Sequence, residues 1–145
     1  MTRRPVLTQA ALGCGEMRIY LAARYGRMAE MCAAAEVLRA AGHDVTARWI
    51  DGMEEGETPQ RGAEMDIEDV RAADLVLSFT EPKNSTNKGG GRHFEMGLAW
   101  AAGKRLAIVG DREIVFHHLP GIEHFDDLAG FVSWLAESPH QENTP

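Results

Sequence analysis

The sequence predicts an α/β domain with a parallel sheet covered by helices on both faces, and three observations predict it. Strand-like segments alternate with helical ones of about 10 to 14 residues, the pattern of βαβ units. The strand segments are apolar throughout, without the in–out alternation of a half-exposed sheet. The 145 residues carry 44% hydrophobic and 26% charged side chains, enough for one core and too apolar for a disordered chain.

The elements follow in order. Residues 1–16 show no pattern and are expected to form a loose extension. Met17–Ala22, "MRIYLA", reads as a buried strand. Met28, Met31, Cys32, Ala35 and Leu38 then recur at helical spacing and stop at Gly42. A second strand is expected around Val45–Ile50. The charged excursion "DGMEEGETPQRGAE" follows, and Ile67, Val70 and Ala73 suggest a short helix. Asp74–Phe79, "DLVLSF", is the strongest strand. A loop over Thr80–Gly91 leads into a helix over Arg92–Ala102, with Gly103 as its C-cap. "RLAIVG" supplies another inner strand, and Ile122–Phe125 a short edge strand. Leu128, Phe131, Val132 and Leu135 mark a closing helix, and the polar stretch 138–145 is expected to fray.

Composition excludes several classes of function. Fifteen basic and 22 acidic side chains give a net charge of -7, which argues against a nucleic-acid or anionic-membrane surface. Cys14 and Cys32 have no metal or redox spacing and are too few for a disulfide framework, so a cytoplasmic setting is expected. The stretch Val6–Gly15 is interrupted by Thr8, Gln9 and Gly13; no signal peptide and no membrane span are expected. His117–His118 lack further ligands at useful spacing, so no metal is expected. GxGxxG is absent after the first strand, "NKGGGRH" is not a Walker loop, and no serine sits in a nucleophile elbow.

In sheets of this kind ligands bind outside the carboxyl ends of the strands, near the reversal of strand order. Four segments share that rim: Ala22–Arg27, Ile50–Asp66, Thr80–Glu95 and Gly110–Leu119. In the third, Gly89–Gly91 permit close backbone approach to a ligand. Glu95 follows in what reads as the first helical turn, where N–H groups and the helix dipole should keep it ionised. Such a carboxylate can attack an electrophilic sugar carbon. Asp66, read as the start of the short helix, can supply the proton that a departing base requires. Tyr20 can hydrogen-bond the catalytic carboxylate, and Arg24 or Arg27 beside free helix N–H groups can hold a 5′-phosphate. Ala22, Gly89, Gly91, Arg92, His93 and His117 complete the candidate substrate-binding set. Each has an ordinary alternative: helix-start charge for Glu95, an N-cap for Asp66, a core-edge tyrosine, solvated arginines. Asp74 is a rival acid, but a strand's first residue lies on the edge of the sheet opposite the rim. Trp49, Trp100 and Phe79 can stack on a base, with a core role expected for the last two.

Together, "RIYLAARYGRMAE", "DIEDVRAADLVLSF" and "GGGRHFEMGLAWAAGKRLAIVG" resemble the nucleoside 2-deoxyribosyltransferase family and its relatives that hydrolyse nucleoside 5′-monophosphates. The resemblance runs from Met17 to about Leu135, so a catalytic domain over 17–137 is expected. It implies a three-layer α/β/α, flavodoxin-like, mostly parallel five-stranded sheet. It also implies no cofactor, and homo-oligomers in which a neighbouring subunit completes each pocket, a role that falls here to the stretch around Phe116–His118. The family's nucleophilic glutamate falls on Glu95, its aspartate on Asp66 and its first-strand tyrosine on Tyr20. The chain departs at Gly89, where many transferases carry an aspartate six residues before the nucleophile. It also lacks the phosphate-binding serine of many hydrolases; Ser85, Thr86 and Asn87 are what its longer loop offers instead. The expected activity is transfer of a 2-deoxyribosyl group between bases through a glycosyl-glutamate intermediate. Hydrolysis of a nucleoside monophosphate comes second, a non-catalytic nucleotide-binding module third, and a flavin electron carrier last.

Overall fold

The computed structural model describes residues 16–86 and 89–137. The loose extension and the frayed tail expected of the sequence therefore lie outside the described residues, apart from Glu16, as does Asn87.

Five strands form one sheet: β1 (Arg18–Ala22), β2 (Asp44–Val45), β3 (Leu75–Phe79), β4 (Arg105–Val109) and β5 (Ile122–Phe125). All neighbours are parallel and the order is β2-β1-β3-β4-β5. Four helices connect and close it: α1 (Met28–Ala40), α2 (Pro59–Ala72), α3 (Gly91–Ala101) and α4 (Leu128–Glu137). The chain steps one way from β1 to β2 and the other way thereafter. Right-handed crossovers then put α1 on the face opposite α2 and α3, and α2 packs beside α3. This is the three-layer α/β/α, flavodoxin-like arrangement, with its switch point between β1 and β3.

The inner strands explain themselves. Every residue of β3 is buried, as are Ile19 to Ala22 of β1 and Leu106 to Val109 of β4, because helices cover both faces. The edge strand β5 is only half-buried, except for an exposed Glu123. Phe131 and Leu135 of α4 enter the same core.

Two elements differ from expectation. The strand expected over Val45–Ile50 ends at Val45, and Arg48–Asp51 turn into a 3₁₀ helix. Side chains outcompete the ladder there. The Asp69 carboxylate accepts from the Arg48 N–H and the Arg48 Nε, both at 2.9 Å, and the Trp49 indole donates to the Leu21 carbonyl at 2.9 Å. Helix α2, in turn, is longer than the short helix expected. Thr58 caps it by accepting from the Arg61 N–H at 3.2 Å, and Pro59 fills its first position. Asp66 accordingly sits inside α2 and not at its start.

Gly110 ends β4 at φ +110°, and a Cβ there would stand 2.6 Å from the Thr80 hydroxyl. Gly110→Ala is expected to destabilise the protein by roughly 1–3 kcal/mol through backbone strain, read as a lowered midpoint in urea unfolding. An unchanged midpoint would show that the β3 and β4 ends give way freely.

Candidate active site

At the carboxyl ends of β1 and β3, a cavity of about 310 Å³ opens between α2, α3 and the 3₁₀ turn. Glu95 is among the residues that line it. The side chain leaves the second turn of α3, not the first, and reaches across to β1, where the Tyr20 hydroxyl donates to its Oε2. Tyr20 is wholly buried in the sheet. Burial, then the Glu95 and Asp66 charges, push its hydroxyl well above the usual range, so it remains a fixed donor.

The Glu95 carboxyl is raised to about 8. Burial is the main cause, the charges of Asp66, Glu54 and Asp69 add to it, and the Tyr20 hydrogen bond opposes it. The helix dipole expected to keep this group ionised is thus outweighed by desolvation and by a ring of like charge. Asp66 lines the cavity opposite, with Oδ1 buried and without a hydrogen-bond partner. Asp69, one turn on, is held by Arg48.

Other lining groups give the cavity its shape. Trp49 and Tyr25 form an aromatic wall with ring centroids 6.2 Å apart. Gly89, Gly91 and Arg92 form the opposite lip. The buried Arg92 guanidinium donates to the Gly89 carbonyl at 3.1 Å and pairs with Glu113 at 2.7 Å. Arg24 lines the mouth, but its Nε is engaged by Glu81 at 2.7 Å. Arg27 turns away towards Glu81 at 3.0 Å, Glu30 and the Thr80 carbonyl. Burial works to raise Glu81, yet the two arginines outweigh it and hold the carboxyl below its ordinary range.

The structure brings together Tyr20, Arg24, Asp66, Gly89, Gly91, Arg92 and Glu95 of the residues singled out in the sequence. Ala22 is buried in β1, and its neighbour Ala23 lines the cavity in its place. Asp74 lies at the far edge of the sheet, paired with Arg18 at 3.1 Å. His93 and His117 face a second cavity of about 1190 Å³, beside exposed Phe94, Val115, Phe116 and Trp100. Trp100, expected in the core, is half-exposed there, whereas Phe79 is buried. The His117 Nδ1 accepts the Glu113 N–H at 3.1 Å, and burial holds its imidazole down at about 4. Besides Ala23 and Tyr25, Glu54 is a lining residue that sequence reasoning missed. It sits among several acids of a polar excursion, and no spacing sets it apart.

Among the described residues no group of three or more His, Cys, Asp or Glu side chains is placed to hold a metal ion, and no helix is long and apolar enough to cross a membrane. The cavity offers a nucleophile-sized carboxylate with a fixed hydroxyl donor, further carboxyl groups for proton transfer, and an aromatic wall. That is the equipment for breaking a glycosidic bond.

No protein-family model and no curated protein matches the chain. Solved structures do. A CMP N-glycosidase, BcmB, from Clostridium botulinum is similar at 18% identity and a TM-score of 0.55, over 82% of this chain and 98% of that one. A 2-desoxiribosyltransferase from Leishmania mexicana reaches 0.65 at 17% identity, over 83% and 97%. BlsM reaches 0.59 at 18%, over 91% and 99%. At these identities the likeness is one of fold.

Proposed function

We propose that the chain is an enzyme of the nucleoside 2-deoxyribosyltransferase family, one that cleaves the N-glycosidic bond of a 2′-deoxynucleoside and passes the deoxyribosyl group to another base. The observation that carries this reading is the Tyr20–Glu95 hydrogen bond inside a cavity shared with Asp66. The resemblance in sequence and the likeness in fold to a 2-desoxiribosyltransferase support it.

In this reading the ionised fraction of Glu95 attacks C1′ while Tyr20 holds its other oxygen in place. The base leaves as Asp66 helps to protonate it, and the sugar stays bonded to Glu95. A second base then enters from the same side, restoring the original configuration. Trp49 and Tyr25 offer the bases a flat wall. No cofactor is needed for either displacement. The apolar groove around Phe94 and Phe116 is the surface on which a second copy of the chain docks, completing a homo-oligomer.

Hydrolysis of a nucleoside 5′-monophosphate is the second reading, favoured by the likeness to a CMP N-glycosidase. We rank it second because Arg24 and Arg27 are both paired with Glu81, which offsets the charge a phosphate would seek. A chromatographic time course on deoxynucleosides and their 5′-monophosphates, with a foreign base present, tests the proposal. A new nucleoside carrying the foreign base is the expected product. Free base alone would mean hydrolysis. Saturable binding without product would mean a nucleotide-binding module.

A further inference from the structure

Glu54 stands on the connection between β2 and α2, two residues after Gly52, which takes the left-handed conformation at φ +72° and turns the chain back towards the cavity. Its carboxylate lies over Gly62 of α2, with Oε2 3.5 Å from where a Cβ would be. Gly62 is one helical turn before Asp66, so the two carboxyl groups meet on one face of α2. Both line the cavity that holds Glu95.

Two atoms there lack partners. Glu54 Oε1 and Asp66 Oδ1 are buried and accept no hydrogen bond from any N–H or O–H group. The Tyr20 hydroxyl is engaged by Glu95, and Arg48 is engaged by Glu68 and Asp69. Arg24 and Arg92, the other cations of the cavity, are paired with Glu81 and Glu113. Ionised carboxylates are acceptors only, so two of them side by side leave both atoms unsatisfied. One proton between them satisfies both.

We infer that Glu54 and Asp66 share that proton, and that Glu54 is the partner which lets Asp66 deliver it to the departing base. This rests on the glycosidic reading of the cavity and assigns its proton source. In the first displacement the C1′–N bond breaks with its electron pair going to the base nitrogen, and a C1′–O bond to Glu95 forms. The shared proton moves to that nitrogen and leaves the pair doubly ionised. In the second, the acceptor's N–H or O–H proton returns to the pair as the acceptor bonds to C1′ and Glu95 departs. Facing Glu54 are Asp66 and Asp69 of α2, Arg48 of the 3₁₀ turn, and Glu95 of α3. Burial first, then Asp66 and Asp69, raise the Glu54 carboxyl to about 8, against the opposing charge of Arg48.

Activity therefore needs Glu95 ionised and the pair still protonated, and the pH profile should be a bell with both limbs near 8. Glu54→Gln keeps a hydrogen bond to Asp66 but carries no mobile proton. On a natural deoxynucleoside its kcat/KM should fall by about 10²-fold and the alkaline limb should vanish. On a nitrophenyl 2-deoxyriboside, whose leaving group needs no proton, it should stay within a few-fold of the unaltered protein. Equal losses on both substrates, or an unchanged pH profile, would overturn the inference. If the unaltered protein cleaves neither substrate, the glycosidic reading has failed, and the shared proton is read directly by ¹³C NMR titration of the Glu54 carboxyl. A titration near pH 8 that falls in Asp66→Asn is expected. Ordinary carboxylate titration in the unaltered protein would overturn the pairing by itself.

Discussion

Glu95→Gln is expected to lower kcat/KM for glycosidic cleavage by roughly 10³-fold or more, with the fold intact. The amide is nearly isosteric and its oxygen still accepts from the Tyr20 hydroxyl, so the cavity keeps its shape. What it loses is the ability to bond to C1′ and hold the sugar between two displacements. The same variant should alter stability in a defined direction. The Glu95 carboxyl is raised to about 8 in the folded chain. The folded state therefore holds this proton more tightly than the unfolded one, whose carboxyl titrates at about 4.3. That contribution is complete below the unfolded value and is lost as the pH rises through 8. Thermal unfolding of Glu95→Gln should therefore fall less between pH 5 and pH 9 than that of the unaltered protein. Near-normal turnover by the variant would remove Glu95 from the chemistry.

The second large effect is on stability. Glu113→Ala strands the Arg92 guanidinium, which is 4% exposed and otherwise paired at 2.7 Å. Removing one partner of a buried pair costs roughly 3–5 kcal/mol, because the remaining charge is left without its counterion. Glu113 also accepts the Glu81 N–H through Oε1, and its own N–H is bound by His117. The loss thus loosens two rim segments at once, the start of α3 and the loop after β3, while the backbone bond to His117 on the turn over Val115–His118 is kept. The double variant Arg92→Met/Glu113→Leu, which removes both charges, should recover most of the lost stability in urea unfolding. If Glu113→Ala alone costs less than about 1 kcal/mol, water reaches Arg92 and the pair is no clamp.

Legibility in the sequence followed the physics of each element. The inner strands β1, β3 and β4 are unbroken apolar runs because both faces are covered, and helices α1, α3 and α4 carry apolar spacing. The end of β2 was hidden because Asp69, 21 residues away from Arg48, captures the backbone there. The start of α2 was hidden differently. Thr58 and Pro59 form a good start signal, but the surrounding acids read as a solvated excursion. That reading puts Asp66 at a helix end and leaves Glu54 unmarked, since its place beside Asp66 in the cavity exists only in space. Trp100 followed the apolar stripe of α3 in pattern, yet it faces the open groove. Tyr20, Asp66 and Glu95 could be picked out together because a parallel sheet sends its rim segments to one edge. The raised Glu95 carboxyl could not be read, since it arises from desolvation and from charges on other elements.

Intact-protein mass spectrometry during turnover of a deoxynucleoside, followed by peptide mapping, tests the central claim most directly. The account predicts a transient mass gain of one deoxyribosyl group, mapped to the peptide containing Glu95 and absent from Glu95→Gln. Turnover with no adduct and with inverted configuration at C1′ would contradict it, since water or base would then have attacked the sugar without Glu95 as an intermediate.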